Sequence, residues 1–268
     1  MNQIGRATPR LEARTKVTGR ADYVHNMRVP GMLYGKVFRS TVAHGRIVSI
    51  HVSEAREIAC VHAEVTGEDI KSVMPNPYYG PAFHDQPILA LEKVRYVGEA
   101  VAVVLAADPH VAERAVQTIV AEYEELEPVF DEVEAVTSTA IVHDELKPAG
   151  TFADLKHLAG RKNTNVALDY QLRRGDVEKA MASADHVLEH IFKTQQCMHT
   201  PLEPICSVAI PGEGTLTIHS SCQTPSFVRM EIARLLGWPE NKVSVKVPFL
   251  GGGFGAKVYV KSEALAAA

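Results

Sequence analysis

The chain has 268 residues, 46% of them hydrophobic, and carries 28 Lys plus Arg against 32 Asp plus Glu for a net charge of −4. A chain of this length can bury roughly 70–75% of its unfolded surface and suggests two domains. With no basic run it lacks an electrostatic footprint for nucleic acid, and no apolar run reaches the roughly eighteen residues of a membrane-spanning helix.

In chain order, residues 1–25 are polar and turn-rich and are expected to form an extended surface arm. Residues 1–6 hold no apolar core of the secretory type, which points to a cytoplasmic protein. Short strands are expected at 33–38 and 47–52, and the continuous apolar run 101–105 predicts a buried strand. Asp108-Pro109 then supplies an N-cap with proline at the first helical position. Val111, Ala112, Ala115, Val116 and Ile119 follow at helical spacing, so this helix packs one face on the sheet. A strand at 119–123 would complete a β–α–β element. Glu122, Glu124, Glu125 and Glu127 make an acidic cluster expected to be a solvated surface.

From about residue 132 to 165, Pro148-Ala149-Gly150 and Gly160-Arg161-Lys162-Asn163-Thr164-Asn165 break the periodicity. The expected organisation is therefore an α+β domain at 1–131, a connector at 132–165 and a second domain at 166–268. Gly175-Asp176 should cap a helix to about Ala184, with strands at 187–194, 206–210, 216–220 and 242–247. Thr224-Pro225 opens a helix that Gly237 closes, with Phe227, Val228, Met230, Leu235 and Leu236 facing a core.

Metal ligands are not evident. Cys60, Cys197, Cys206 and Cys222 form no C-x-x-C pair and are expected to be buried small hydrophobes. His62-Ala63-Glu64 and His143-Asp144-Glu145 match H-x-E, but the P-C-x-x-C of a zinc deaminase is missing. His199, near Glu203 and Gln195-Gln196, is expected to be an ordinary hydrogen-bonded histidine.

The most informative stretch is Gly251-Gly252-Gly253-Phe254-Gly255-Ala256-Lys257. It follows the predicted strand at 242–247, and its bare backbone can present N–H groups to an anion. A P-loop is excluded, because Ala256 stands at the second glycine and Val258 follows Lys257 where a hydroxyl is needed. Gly251, Gly253 and Ala256 match a dinucleotide fingerprint literally, but its acidic residue about twenty positions on has no counterpart. A purely structural turn remains the other reading of the stretch by itself.

The loop resembles the GGGFGGK segment of the xanthine dehydrogenase/aldehyde oxidase family of molybdenum hydroxylases, with Ala256 replacing one glycine. Ser221-Cys222-Gln223-Thr224-Pro225 resembles that family's Ser-Thr-Gln-x-Pro turn, and Leu202-Glu203-Pro204 its Met-Glu-Pro segment. Further ordered likenesses run from Lys16-Val17-Thr18-Gly19-Arg20-Ala21-Asp22-Tyr23 through Gly31-Met32-Leu33-Tyr34-Gly35-Lys36-Val37, Arg39-Ser40 and His44-Gly45-Arg46-Ile47. Val94-Arg95-Tyr96-Val97-Gly98-Glu99 and Glu122-Tyr123-Glu124-Glu125-Leu126 continue them, so the resemblance spans essentially the whole chain.

This resemblance implies an α+β protein with an N-terminal a/b hammerhead-like domain, then the first, truncated part of a molybdopterin-binding domain. It implies that Gln223, Gly252, Gly253, Phe254 and Gly255 border a molybdenum–molybdopterin cofactor, with no side chain ligating the metal. Lys257 would meet a phosphate or reach solvent, and Glu203 would be buried beside the site or stand at a strand end. Iron–sulfur clusters and FAD would reside on partner subunits. The implied reaction hydroxylates an electron-poor carbon with oxygen from water. Its glutamate base would lie beyond Ala268, so no catalytic residue is expected in this chain and it should be inactive alone. Val258 occupies the position that is glutamate in purine-oxidising members, which favours an aldehyde or a less polar N-heteroaromatic substrate. A carbon monoxide dehydrogenase-like subunit and a non-catalytic hammerhead module that binds a partner subunit or helps deliver cofactor are the alternatives.

Overall fold

The computed structural model describes residues 4–268; the first three residues of the N-terminal arm lie outside them. Instead of staying extended, the arm turns through α1 (Ala13–Val17), where the Glu12–Lys16 pair is spaced one helical turn apart. It ends by burying Val24 in the protein.

The first half is built from β1 (Tyr34–Arg39), β2 (Gly45–His51), α2 (Ser53–Arg56), β3 (Val61–Thr66) and α3 (Gly67–Val73). The short pair β4 (Tyr78–Tyr79) and β5 (Gln86–Pro87) follows, then β6 (Lys93–Val94), β7 (Ala100–Ala106), α4 (Pro109–Val116) and β8 (Val120–Glu125). Strand β7 is the apolar run predicted as buried, and it lies between β1 and β3, antiparallel to both. Because successive strand residues point to opposite faces, Val103 joins one apolar cluster while Ala102 and Val104 pack with Ala115 and Ile119 in another. Asp108 caps α4 as expected, accepting the N–H groups of His110 and Val111 at 2.8 and 3.2 Å.

The expected β–α–β element at 101–123 is not formed. Strand β8 pairs antiparallel with β2 in a second sheet ordered β6-β2-β8, so α4 connects two sheets instead of crossing over one. Alternation explains the difference: Val120, Glu122 and Glu124 are exposed while Ala121 and Tyr123 are covered, so β8 can bury only one face. The acidic cluster lies on the exposed side, with Glu122 and Glu124 bonded to Ser49 and Arg46. The turn into β7 is fastened by Arg95, whose N–H and guanidinium donate to Glu99 at 2.5 and 3.0 Å. Burial raises the Glu99 pKa, and Arg95 opposes that shift.

Between residues 132 and 165, β9 (Glu145–Leu146) pairs with β10 (Arg161–Lys162). Asn165 ties this stretch together, accepting from the Val142 N–H and donating to the carbonyls of Ala135 and Ala140. Helix α5 (Val177–Ala182) is capped by Asp176, as its sequence predicts. The strand expected at 187–194 does not form: residues 167–200 are exposed, and no sheet edge among the described residues pairs with 187–194. An apolar alternation cannot make a strand without a neighbour to take its hydrogen bonds. Cys60 and Cys197 are exposed, contrary to expectation; Cys206 is half-buried and Cys222 buried, and burial raises the pKa of both latter thiols.

The last part comprises β11 (Ser207–Gly212), β12 (Thr215–Ser220), α6 (Pro225–Leu236), β13 (Val243–Lys246) and α7 (Ser262–Ala267). Here the chain does build a β–α–β unit, because β12 and β13 are adjacent and parallel with α6 between them. Phe227, Val228, Ile232, Ala233 and Leu235 of α6 are buried, with Met230 and Leu236 packed beside them. The same cluster contains Ile70, Met74, Ile88, Leu89 and Val103, so one apolar core runs across both halves. Arg234 strengthens that junction by donating to the Tyr78 carbonyl at 2.7 Å and to the buried Glu231 at 2.5 Å.

Candidate cofactor site

Three separated pieces of chain meet around the glycine loop: the turn after β12, the segment at Glu203, and the loop after β13. Gln223 does not use its carbonyl to cap α6. Its Oε1 accepts the N–H groups of Gly255 at 3.0 Å and Lys257 at 3.4 Å, and its backbone N–H donates to the Lys257 carbonyl at 2.8 Å. Thr224 likewise turns its hydroxyl away from its helix to the Val258 carbonyl. With no side-chain cap, the first amides of α6 keep their positive end open.

Glycine is required at the centre of this contact. A β-carbon on Gly253 would lie 2.5 Å from the Gln223 side chain, well inside contact distance. Gly252 has φ +98, which L side chains rarely adopt, and a β-carbon there would lie 2.8 Å from the Phe254 ring. Phe254 itself has φ 51, an uncommon conformation for a residue with a side chain, and its ring is 71% exposed instead of filling the core.

The loop's amides divide into two sets. Those of Gly251, Gly255, Ala256, Lys257 and Val258 are already bonded within the protein. Those of Gly252, Gly253 and Phe254 have no acceptor among the described residues, and neither does the Gln223 NH2. Four donor groups on neighbouring residues, free of internal acceptors, are what a polyoxygenated group such as a metal–oxo pterin phosphate needs. The donor chemistry therefore fits that group.

Lys257 neither reaches solvent nor projects toward an external phosphate. It is 2% exposed and its Nζ donates to Glu203 Oε2 at 2.9 Å, an oxygen that also accepts the Gly251 N–H at 2.7 Å. The sequence places both residues in matching motifs, but nothing local signals a pairing across 54 positions. Tyr23 of the arm packs near the loop entrance, its ring 6.0 Å from that of Phe249. His199 is exposed, without a hydrogen bond among the described residues, and a β-carbon on Gly255 would lie 3.7 Å from its Nε2. Val258 is half-buried directly after the loop. Glu263 is 2% exposed and accepts from the Ser220 hydroxyl and the Lys261 N–H.

Two family models match successive parts of the chain. Residues 18–127 match the aldehyde oxidase and xanthine dehydrogenase a/b hammerhead domain, and residues 158–268 match the molybdopterin cofactor-binding domain. The nicotinate dehydrogenase large molybdopterin subunit of Eubacterium barkeri is 35% identical over 95% of this chain and 56% of its own length. The carbon monoxide dehydrogenase large chain of Afipia carboxidovorans is 33% identical over 95% of this chain and 32% of its own. Quinoline 2-oxidoreductase from Pseudomonas putida 86 superposes with a TM-score of 0.84 at 31% identity, covering 98% of this chain and 33% of that one. The chain belongs to the xanthine dehydrogenase/aldehyde oxidase family of molybdopterin-dependent oxidoreductases, and it spans from about a third to about half the length of these relatives.

Proposed function

We propose that this chain forms the cofactor-binding part of a molybdenum hydroxylase that oxidises an aldehyde or N-heteroaromatic carbon with oxygen drawn from water. The observation that carries the reading is the set of unpaired donors on Gln223, Gly252, Gly253 and Phe254 around a position with no room for a β-carbon. Two of the relatives act, by name, on nicotinate and quinoline, both N-heteroaromatics.

In this proposal, Gln223 donates through its NH2 while Gly255 and Lys257 hold its carbonyl, so the amide is oriented before the cofactor arrives. The N–H groups of Gly252, Gly253 and Phe254 bind oxygen acceptors of the same group, and Gly255 leaves the approach free of a side chain. The molybdenum–molybdopterin group supplies the two-electron redox chemistry when bound. No loop side chain ligates the metal. Following the family resemblance, the proton acceptor is assigned to a glutamate on the remainder of the large subunit. The remainder of a large subunit, with iron–sulfur and FAD subunits, completes the assembly.

Val258 gives the substrate face an apolar residue where a heterocycle-binding carboxylate could stand. Molybdenum and pterin analysis of the purified assembly, with turnover on an aldehyde, an N-heteroaromatic acid and carbon monoxide, tests the reading. Absence of molybdenum and pterin overturns it. Oxidation of carbon monoxide alone selects the second reading, which the 33% identity to a carbon monoxide dehydrogenase large chain supports. Val258→Glu should raise purine turnover relative to aldehyde turnover; an unmoved ratio assigns specificity to other residues.

A further inference from the structure

We propose that Glu203 and Lys257 are a buried clasp that sets the shape of the glycine loop, and that the cofactor is retained only while the clasp is closed. The proposal rests on the function proposed above and adds a pair that positions the loop without touching the bound group.

Three observations point to a clasp and not to incidental packing. First, a single carboxylate oxygen joins the two ends of the loop: Glu203 Oε2 accepts from Gly251 N–H at 2.7 Å and from Lys257 Nζ at 2.9 Å. The amides without acceptors, those of Gly252, Gly253 and Phe254, lie between these two points. Second, the backbone reciprocates, since the Glu203 N–H donates to the Gly251 carbonyl at 3.2 Å. Third, the other carboxylate oxygen, Oε1, is buried with no hydrogen-bond partner among the described residues. All the hydrogen bonding of this carboxylate is therefore directed at the loop.

Burial makes such a pair effective as a lock. An exposed ion pair breaks and reforms at little cost. Side chains of Glu203 and Lys257 are 5% and 1% exposed, so separating them would strand two charges away from water. The loop, rich in glycine, has little intrinsic preference for one conformation. Its ends are thus set by the pair, and Gln223 aligns the stretch that follows through Gly255 and Lys257.

The test compares the purified native assembly carrying wild-type chain, Glu203→Gln, Lys257→Met, the double variant Glu203→Gln/Lys257→Met, and Lys257→Arg. Molybdenum and pterin per chain are measured together with amide hydrogen exchange across residues 251–257. Supporting groups of this kind change metal-centre affinity by about 10–100-fold, so the single neutral variants should lose most of their pterin and exchange the loop about tenfold faster. The double variant leaves no charge unpaired and should fold, with near-native circular dichroism, yet still show low pterin and fast exchange. Lys257→Arg keeps the ion pair and should recover most of both properties. A folded double variant with wild-type pterin content and unchanged exchange overturns the clasp. Wild-type chain without pterin overturns the function proposed above, and the exchange measurement alone then decides whether the pair holds the loop.

Discussion

Around β7 the backbone is held by side chains that leave water together, whereas around Gly253 it is held by a handful of polar atoms. Ala102 and Val104 are fully buried between two strands and α4, and any of several neighbours can take up a small change. The loop has one short path for each hydrogen bond, through Gln223, Thr224 and Glu203. Apolar packing spreads its contribution over many contacts; a polar cradle concentrates it in a few. Core substitutions should therefore lower stability and leave the site's chemistry intact in whatever folds, while loop substitutions should do the reverse.

The largest loss of stability is expected from Ile232→Ala, which empties a fully buried position in the core shared by both halves. A cost of about 2–5 kcal/mol in denaturant unfolding is expected, with pterin per folded chain unchanged. Selective loss of pterin in that variant would break the contrast. Gly253→Val should act the other way, because its side chain would enter the space of Gln223. Pterin content should fall to background while the far-UV spectrum stays native; full loading would make the glycines merely structural. Gln223→Ala removes the acceptor for two loop amides, and a stability loss of about 1 kcal/mol is expected alongside a much larger loss of turnover. Unchanged turnover would remove Gln223 from the site.

The smallest effect concerns neither region but the stretch between them. Burial, then the positive charges of Arg95 and Lys93, push the His143 pKa from 6.5 down to about 4, against the opposing influence of Asp144. The unfolded chain then binds a proton that the folded chain refuses, so stability declines as pH falls through the window from about 6.5 to about 4. His143→Gln should flatten part of that acid slope in urea midpoints taken at several pH values. An unchanged slope would assign it to other groups.

Much of the fold was legible locally. The run ending in Leu105, the Asp108-Pro109 start and the Gly237 stop each carry their signal within a few residues, and each forms as expected. The partners of a strand are not local, which is why 187–194 lies unpaired and β8 joins β2 instead of β7. The motif at 251–257 and Gln223 could be found by resemblance, yet the division of amides between internal acceptors and none depends on contacts across 32 to 54 positions.

Periodicity and turn residues by themselves determined the α+β class and the location of the loop, because those follow from which side chains can be buried and which backbone must stay bare; the family was legible only through the resemblance of its ordered motifs. Only the tertiary structure decided that the parallel unit is β12–α6–β13, that Gln223 turns its carbonyl inward, and that Lys257 ends on Glu203 away from water. The reason is desolvation: a lysine or a glutamate is indifferent to its partner in water, and its role becomes fixed only when the packed chain removes every other one.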